Sequence, residues 1–314
     1  MIGCIEKLMR PETAGDPITG LKWTQRTTAK IAAQLHKLGI EISDRTVAKL
    51  LKQMNYSLRV NHKKLSRVCG VSAEERDAQF ARIAEIREQF AAKGLPLISV
   101  DTKKKELIGR FKNAGTSWNR EPVLVNDHDF RSESEGIVIP YGIYDLLANR
   151  GTVFVGTSYD TPEFAVESIE KWWRYEGQKR YGRARCMAIL ADSGGSNGTS
   201  CRAWKYGLHQ QLCERHRIAV TVAHFPSGTS KWNPIEHRLF SEISKNWAGR
   251  PLDSYKTVLN FIQTTRTTTG LRLRAHLVRK GYKKGIKISD AEMSQLAITK
   301  DPTLPRWNYT LRPS

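Results

Sequence analysis

Two aspartates and one glutamate stand where a metal-dependent phosphoryl-transfer enzyme needs carboxylates. Asp101 follows the apolar run Leu97-Ile98-Ser99-Val100. Asp192 follows Met187-Ala188-Ile189-Leu190-Ala191 and precedes Ser193-Gly194-Gly195-Ser196-Asn197-Gly198. Glu236 closes Lys231-Trp232-Asn233-Pro234-Ile235-Glu236, at the start of an amphipathic pattern. Carboxylates at two strand ends and one helix start can converge on a pair of Mg²⁺ ions. Such a pair clamps the attacking and leaving oxygens of an in-line phosphodiester displacement. Mg²⁺ prefers oxygen ligands, keeps waters, and takes substrate phosphate as a further ligand. Each carboxylate alone has an ordinary explanation, as a strand-terminating turn cap or a solvated helix residue. Their combination points to chemistry. Ile235, Leu239, Phe240 and Ile243 mark a buried stripe, which puts Glu236 at its edge.

The bulk charge says what such a site would act on. The 314 residues carry 51 Lys+Arg and 31 Asp+Glu, a formal net charge of +20. An excess of this size concerns partners, and the first of these is a nucleic acid. No apolar run approaches the ~20 residues of a spanning helix, and the N-terminus lacks the layout of a signal peptide. Five scattered cysteines, never paired as C-x-x-C, read as reduced thiols of a cytosolic protein. His209, Cys213 and His216 share one helical face, but no fourth zinc ligand is evident. The length allows one large domain or two ordinary ones.

The elements that must position the carboxylates can be read from periodicity. Residues 1–20 read as an irregular lead-in with Pro11, Gly15, Pro17 and Gly20. Ile31, Ala32, Leu35 and Leu38 form one helical face, stopped by Gly39. Ser43 caps a second helix with Val47, Leu50, Leu51 and Met54 on one side. Residues 27–54 are thus a helix-turn-helix candidate. Eleven basic residues between Lys22 and Arg67 face only Glu41 and Asp44, and Arg45, Lys49 and Lys52 are expected to point outward to DNA. Ser72-Ala73-Glu74-Glu75 is a capping box that opens a long connector helix. Residues 97–100 read as a buried strand and 107–111 as its hairpin partner. Residues 153–155, 186–191 and 218–223 give further strands, alternating with helices that begin at Pro162, Ser200 and Ser230. The expected fold is α/β: an RNase H-like mixed sheet flanked by helices, preceded by a small helical helix-turn-helix region. Lys103, Lys104 and Lys105 follow Asp101 and are candidates for phosphate contact. Arg272, Arg274, Arg279, Lys280, Lys283, Lys284 and Lys287 face no acid until Asp290, which suggests a DNA-backbone track.

Three segments carry a family resemblance. The residues from Ser99 to Glu106, those from Ala191 to Gly198, and those from His224 through Glu236 to Phe240 resemble the ISAzo-thirteen-type bacterial insertion-sequence DDE transposases. Asn233-Pro234-Ile235-Glu236 is also similar to the third-carboxylate motif of mariner-like enzymes. The resemblance runs from about Gly15 to Tyr309. It implies an RNase H-like catalytic domain, a DDE triad at Asp101, Asp192 and Glu236, and bound Mg²⁺ or Mn²⁺. It also implies action on transposon ends. Family members carry additional helical DNA-binding sequence before the position matching Gly15, where this chain has fourteen residues. The N-terminus is therefore expected to be truncated. Ser193 stands where members often have Gly.

The expected organisation is a helix-turn-helix region over 1–70, a connector helix over 71–96, an RNase H-like catalytic domain over 97–250 and a basic C-terminal region over 251–314. The expected activity is metal-dependent cleavage of double-stranded transposon-end DNA and strand transfer to target DNA. Two metal ions and a homodimer or higher oligomer on DNA are expected, in the cytoplasm beside the nucleoid. The competing readings are a catalytically inactive or truncated DNA-binding regulator, and an RNase H-like nuclease that cannot join a 3′ end to target.

Overall fold

The computed structural model describes residues 2–9, 13–15, 22–24, 27–54, 56, 71–117 and 119–314. They fall in two compact units, residues 1–65 and 66–314.

The first unit contains α1 (Ile2–Met9), an antiparallel pair β1 (Thr13–Gly15) and β2 (Lys22–Thr24), α2 (Thr28–Lys37) and α3 (Asp44–Gln53). The lead-in expected to be irregular thus holds a helix and a strand. Ile5 of α1 is fully buried in a cluster with Ile31, Leu35, Ile42 and Val47, and that contact outweighs the weak local signal. Thr27 and Ser43 cap the two later helices through their hydroxyls, and Gly39 takes the left-handed conformation (φ +77°) that ends α2. Val47 is buried, Leu50 and Leu51 are half-buried, and Arg45, Lys49 and Lys52 are exposed. That is the facing expected of the helix-turn-helix. Arg26, Arg59, Lys63, Lys64 and Arg67, counted in the basic excess, lie outside the described residues.

The second unit is built on one mixed sheet. Its elements are α4 (Ala73–Ala92), β3 (Leu97–Thr102), β4 (Glu106–Ile108), β5 (Gly136–Asp145), β6 (Arg150–Gly156), α5 (Pro162–Trp172), α6 (Gln178–Tyr181), β7 (Cys186–Asp192), α7 (Arg202–Leu208), β8 (Ala219–Phe225), α8 (Ser241–Asn246), α9 (Tyr255–Thr264), β9 (Arg272–Val278), α10 (Asp290–Ser294), β10 (Ile298–Lys300) and β11 (Asn308–Leu311). The strand order is β10-β11-β8-β7-β3-β5-β6-β9. β3, β7 and β8 run parallel, while β5 runs antiparallel to β3 and β6. The central five strands, β6-β5-β3-β7-β8, form an antiparallel meander followed by two parallel crossovers. That is the RNase H-like arrangement.

The partner of β3 differs from the expected hairpin. Ile98–Thr102 pair with Asp145–Tyr141, and Glu106–Ile108 pair with Val138–Gly136. β4 therefore continues β3 along the same partner, with one extra residue in between. Lys103, Lys104 and Lys105 sit in that bulge, not in a hairpin turn, and bulges recur beside active sites. The ten-residue strand β5 supplies this pairing, from a β-branched and aromatic stretch interrupted by Pro140 and Gly142.

Helices cover both faces. Phe164, Ile169 and Trp172 of α5 and Trp204 and Leu208 of α7 pack on one face with Ile98, Val100 and Ile189. On the other, Ile83 and Ile86 of α4 pack on Leu97, Ala188 and Leu190, and Leu239, Phe240 and Ile243 pack on Val153 and Val155. Gly142, paired with Asp101, lets the chain at Ile235 and Phe240 approach the sheet. A Cβ there would come within 2.8 Å of Ile235 and 2.5 Å of Phe240. The connector helix is thus a packed layer of the second unit. The segment after residue 250 adds β9, β10 and β11 to the same sheet.

Candidate active site

Asp101 and Asp192 end neighbouring parallel strands. The register pairs Val100 with Ala191, so the next residues, the two aspartates, stand side by side at a spacing of roughly 4.8 Å between strands. Open α/β sheets gather ligands at this carboxyl end. Residues alternate along β3. Ser99 touches Asn233 and the Ile235 N–H, so Asp101, two residues on, faces the side from which Glu236 arrives.

Glu236 is delivered by a short, irregular chain path. A 3-10 turn spans Ser230–Trp232, Asn233 breaks it, and Glu236–Phe240 form a π-helical turn that runs into α8. The helix opens at Pro234, not with Ser230 as its cap, because proline suits a first helical position. π-turns add a residue per turn and recur at functional sites. The path is tied to the sheet by one hydrogen-bond chain. Ile235 N–H donates to the Ser99 hydroxyl at 3.1 Å, Ser99 donates to Asn233 Oδ1, and Asn233 Nδ2 donates to Asp192 Oδ1 at 3.4 Å. Ser99 and Asn233 are both fully buried. This chain explains a serine inside an apolar strand and an asparagine three residues before the glutamate.

The charges of Asp192 and Glu236 both act on Asp101. Burial and then the Asp192 charge push Asp101 up to about 8, with Glu236 and Asp160 adding to the effect. Burial also raises Asp192, against the Asn233 hydrogen bond, and raises Glu236, to which Asp192 adds and which Lys103 relieves. Three half-buried carboxyls are thus partly drawn out of water, with no ion pair to Asp101 or Asp192 among the described residues. That donor set fits a hard divalent cation. Among the described residues no three His, Cys, Asp or Glu side chains close around a single point as a structural cage would. A catalytic Mg²⁺ bound by one or two carboxylates and completed by phosphate and water needs no such cage.

The raised Asp101 has a stability consequence. A carboxyl near 3.8 when unfolded and near 8 when folded binds its proton more tightly in the folded state, so it costs stability progressively as pH rises from about 4 to about 8. Asp101→Asn removes that cost. In metal-free buffer at pH 8 its melting temperature is expected to exceed the parent's by roughly 3–8 °C. The gap should narrow toward pH 4, and Mg²⁺ should narrow it by stabilising the parent alone. A variant that melts below the parent at pH 8 would contradict the unpaired-carboxylate reading.

The other candidates are distributed. Lys103 is turned inward, with Nζ 3.7 Å from Glu106 and 4.7 Å above the Trp247 ring. Lys104 and Lys105 are exposed beside it. Arg272 and Arg274 are exposed on β9, three strands from β3. Their neighbours Leu273 and Ala275 pack in the cluster of Leu239, so the arginines occupy the sheet face opposite Asp101. Lys284 lies over the Tyr159 ring at 4.1 Å, next to Asp160, and Lys283 is exposed. Lys280 is held by Glu163 and Glu167, acids far off in sequence. His216 bonds to Glu170 at 3.1 Å instead of joining His209 and Cys213. Asp160 has no signal in its local sequence. Thr102 links it to the site, donating its hydroxyl to Asp160 at 3.1 Å and its N–H to Asp101 at 2.7 Å.

The model of one protein family, described as the Rhodopirellula transposase DDE domain, matches residues 4–313. The chain belongs to this family. It is a DDE transposase, a polynucleotidyl transferase, and its expected family and fold class stand. Among solved structures, a Mos1 transposase paired-end complex with the left transposon end is similar at 14% identity. The match covers 83% of this chain and 69% of that chain, with a TM-score of 0.43. A mariner Mos1 paired-end complex with Mg is similar at 13% identity, covering 83% and 69%, with a TM-score of 0.45. No curated protein matches the chain. No described helix of this transposase is long and apolar enough to cross a membrane.

Proposed function

We propose that Asp101, Asp192 and Glu236 are the catalytic triad of this transposase, and that it cleaves transposon-end DNA and joins the freed end to target DNA. What supports this reading is the placing of three carboxylates at two neighbouring strand ends and one π-turn, with Asp101 raised by burial and by the charges of Asp192 and Glu236. Asp101, Asp192 and Glu236 would hold Mg²⁺ or Mn²⁺, and the bound metal would supply Lewis-acid activation and neutralise charge on the phosphate.

The chain's own groups orient the reactants. The Ser99–Asn233 bridge fixes the Asp192 carboxylate relative to the Glu236 turn. Lys104 and Lys105 stand beside Asp101 to meet phosphate oxygens. In the first step a water oxygen bonds to phosphorus as the P–O3′ bond breaks, leaving a 5′-phosphate and a 3′-hydroxyl. In the second, that hydroxyl attacks a target phosphorus and a target 3′-oxygen leaves. No protein atom becomes bonded to DNA. The test is a gel assay of end cleavage and joining in Mg²⁺, with chelator as control. Cleavage without joining would favour a nuclease, and binding without cleavage a regulator.

DNA capture falls to the helix-turn-helix and the exposed lysines and arginines of the second unit. α3 presents Arg45, Lys49 and Lys52 on its open side, as a helix lying against DNA does. Their joint replacement by Ala should lower the slope of log affinity against log salt by about 0.9 for each phosphate that is no longer neutralised. A salt titration of end-DNA binding reads this directly. An unchanged slope would remove α3 from the DNA surface.

A further inference from the structure

A chain of three buried polar side chains ends on the second aspartate. Trp204 of α7, Tyr309 of β11 and His224 of β8 are 0%, 2% and 0% exposed. At that burial each polar atom needs a protein partner, and the partners fix the direction of every hydrogen bond. The Asp192 main-chain carbonyl can only accept, so His224 Nδ1 carries the proton that reaches it at 2.9 Å. A neutral imidazole then leaves Nε2 as acceptor. Trp204 Nε1 is a donor only, and it reaches the Tyr309 oxygen at 3.1 Å. The Tyr309 proton is thereby free to point at His224 Nε2, 3.4 Å away. Only one tautomer and one hydroxyl orientation satisfy all four groups.

We propose that His224 is a positioning residue of the transposase reaction, holding the Asp192 backbone through Nδ1–H while Tyr309 and Trp204 hold the imidazole. The inference rests on the reading of Asp192 as a metal ligand. Asp192 is the last residue of β7. Beyond it, Gly194 and Gly195 have open space where a Cβ would lie, and Gly195 takes φ +68°. The two glycines themselves offer no side-chain restraint, and the loop is anchored on either side of them, Ser193 to the Ser227 hydroxyl and buried Asn197 to Tyr141. Asp192 itself is gripped at both ends, its carbonyl by His224 and its carboxylate by Asn233. Outer-shell groups of this kind orient ligands and tune metal affinity. A carboxylate displaced by an ångström no longer presents the geometry that the reaction needs.

Two substitutions separate positioning from bulk stability. His224→Asn puts an amide N–H near the Nδ1 site, and His224→Gln puts it near the Nε2 site. Mn²⁺ binding to the full chain is measured by calorimetry, and Mn²⁺ dependence of end cleavage is measured in parallel. His224→Gln should bind Mn²⁺ about 10-fold more weakly and need correspondingly more for half-maximal cleavage, while His224→Asn should stay within roughly 3-fold of the parent. Both lose native packing, so a purely structural role would shift them alike. Equal losses in the two variants, or parent-like Mn²⁺ affinity in His224→Gln, would overturn the proposal. If neither variant folds, Tyr309→Phe decides, because it keeps the ring and removes only the hydroxyl that orients His224. It should weaken Mn²⁺ binding by about 3-fold, and unchanged affinity would overturn the proposal. A parent that binds no Mn²⁺ and cleaves no end DNA would defeat the active-site reading itself. A parent that does both beside a parent-like His224→Gln defeats this inference alone.

Discussion

Asp192→Asn is expected to lower Mg²⁺-dependent end cleavage by about 10²–10³-fold or more, the loss seen when one group that stabilises transition-state charge is removed. End-DNA binding should stay within about 3-fold of the parent, because backbone phosphates are met by cations elsewhere. The substitution removes a charge and keeps the shape. Asn233 Nδ2 can still donate to the amide oxygen, and His224 still holds the carbonyl. What disappears is a ligand, since a neutral amide is a poor replacement for a carboxylate on Mg²⁺. Burial already raises the Asp192 carboxyl, so the neutral variant should fold at least as well as the parent. Cleavage and binding are read from the same preparations. Parent-level cleavage by the variant would take Asp192 out of the mechanism.

Asp145→Ala should have the largest effect on stability. Asp145 is fully buried at the end of β5, paired across the sheet with Ile98. Unlike Asp101 it is fully partnered. It accepts from Arg180 Nη1 at 2.6 Å, from the Tyr181 hydroxyl at 2.9 Å and from the Ala148 N–H at 3.1 Å. Removing one member of a buried pair costs about 3–5 kcal/mol. The Arg180 side chain keeps 32% exposure, so about 2–4 kcal/mol is the better expectation after solvent screening. That corresponds to a fall in melting temperature of roughly 5–15 °C. Asp145→Asn, which keeps an acceptor, should lose less. Cleavage by folded Asp145→Ala at low temperature should match the parent, because Asp145 lies at the opposite end of the sheet from the carboxylates. A melting temperature within a degree or two of the parent would show that solvent already supports Arg180 and Tyr181.

The carboxylates of the site show how far local sequence reaches. Asp101 and Asp192 are legible because each ends an apolar run long enough to be a buried strand. Both runs carry their hydrophobic residues locally, and β7 agrees with its expected span. Glu236 is legible from the apolar stripe beginning at Ile235. The outward cations of α3 follow from helical spacing and a serine cap. All of these signals live within ten or so residues, where periodicity and capping act.

Other features depend on pairings between residues far apart in the chain. The ladder between β3 and β5 closes a loop of more than thirty residues, which leaves no local trace, so 107–111 reads from sequence as a hairpin partner. β9, β10 and β11 join the sheet from a segment that composition marks only as basic. Lys103 turns inward because Trp247 and Glu106 wait for it, and Lys280 is neutralised by acids on α5. Ser99, Asn233, Asp160 and His224 have ordinary identities in one dimension. They become parts of the site only through tertiary contacts: Ser99, Asn233 and His224 are buried, where each polar atom must find a partner, and half-buried Asp160 is reached through Thr102. By itself the sequence determined the residue types, the local elements and the charge of the partner. The tertiary structure decided which carboxylates meet, which cations stay open to solvent, and which buried polar groups hold the site in place.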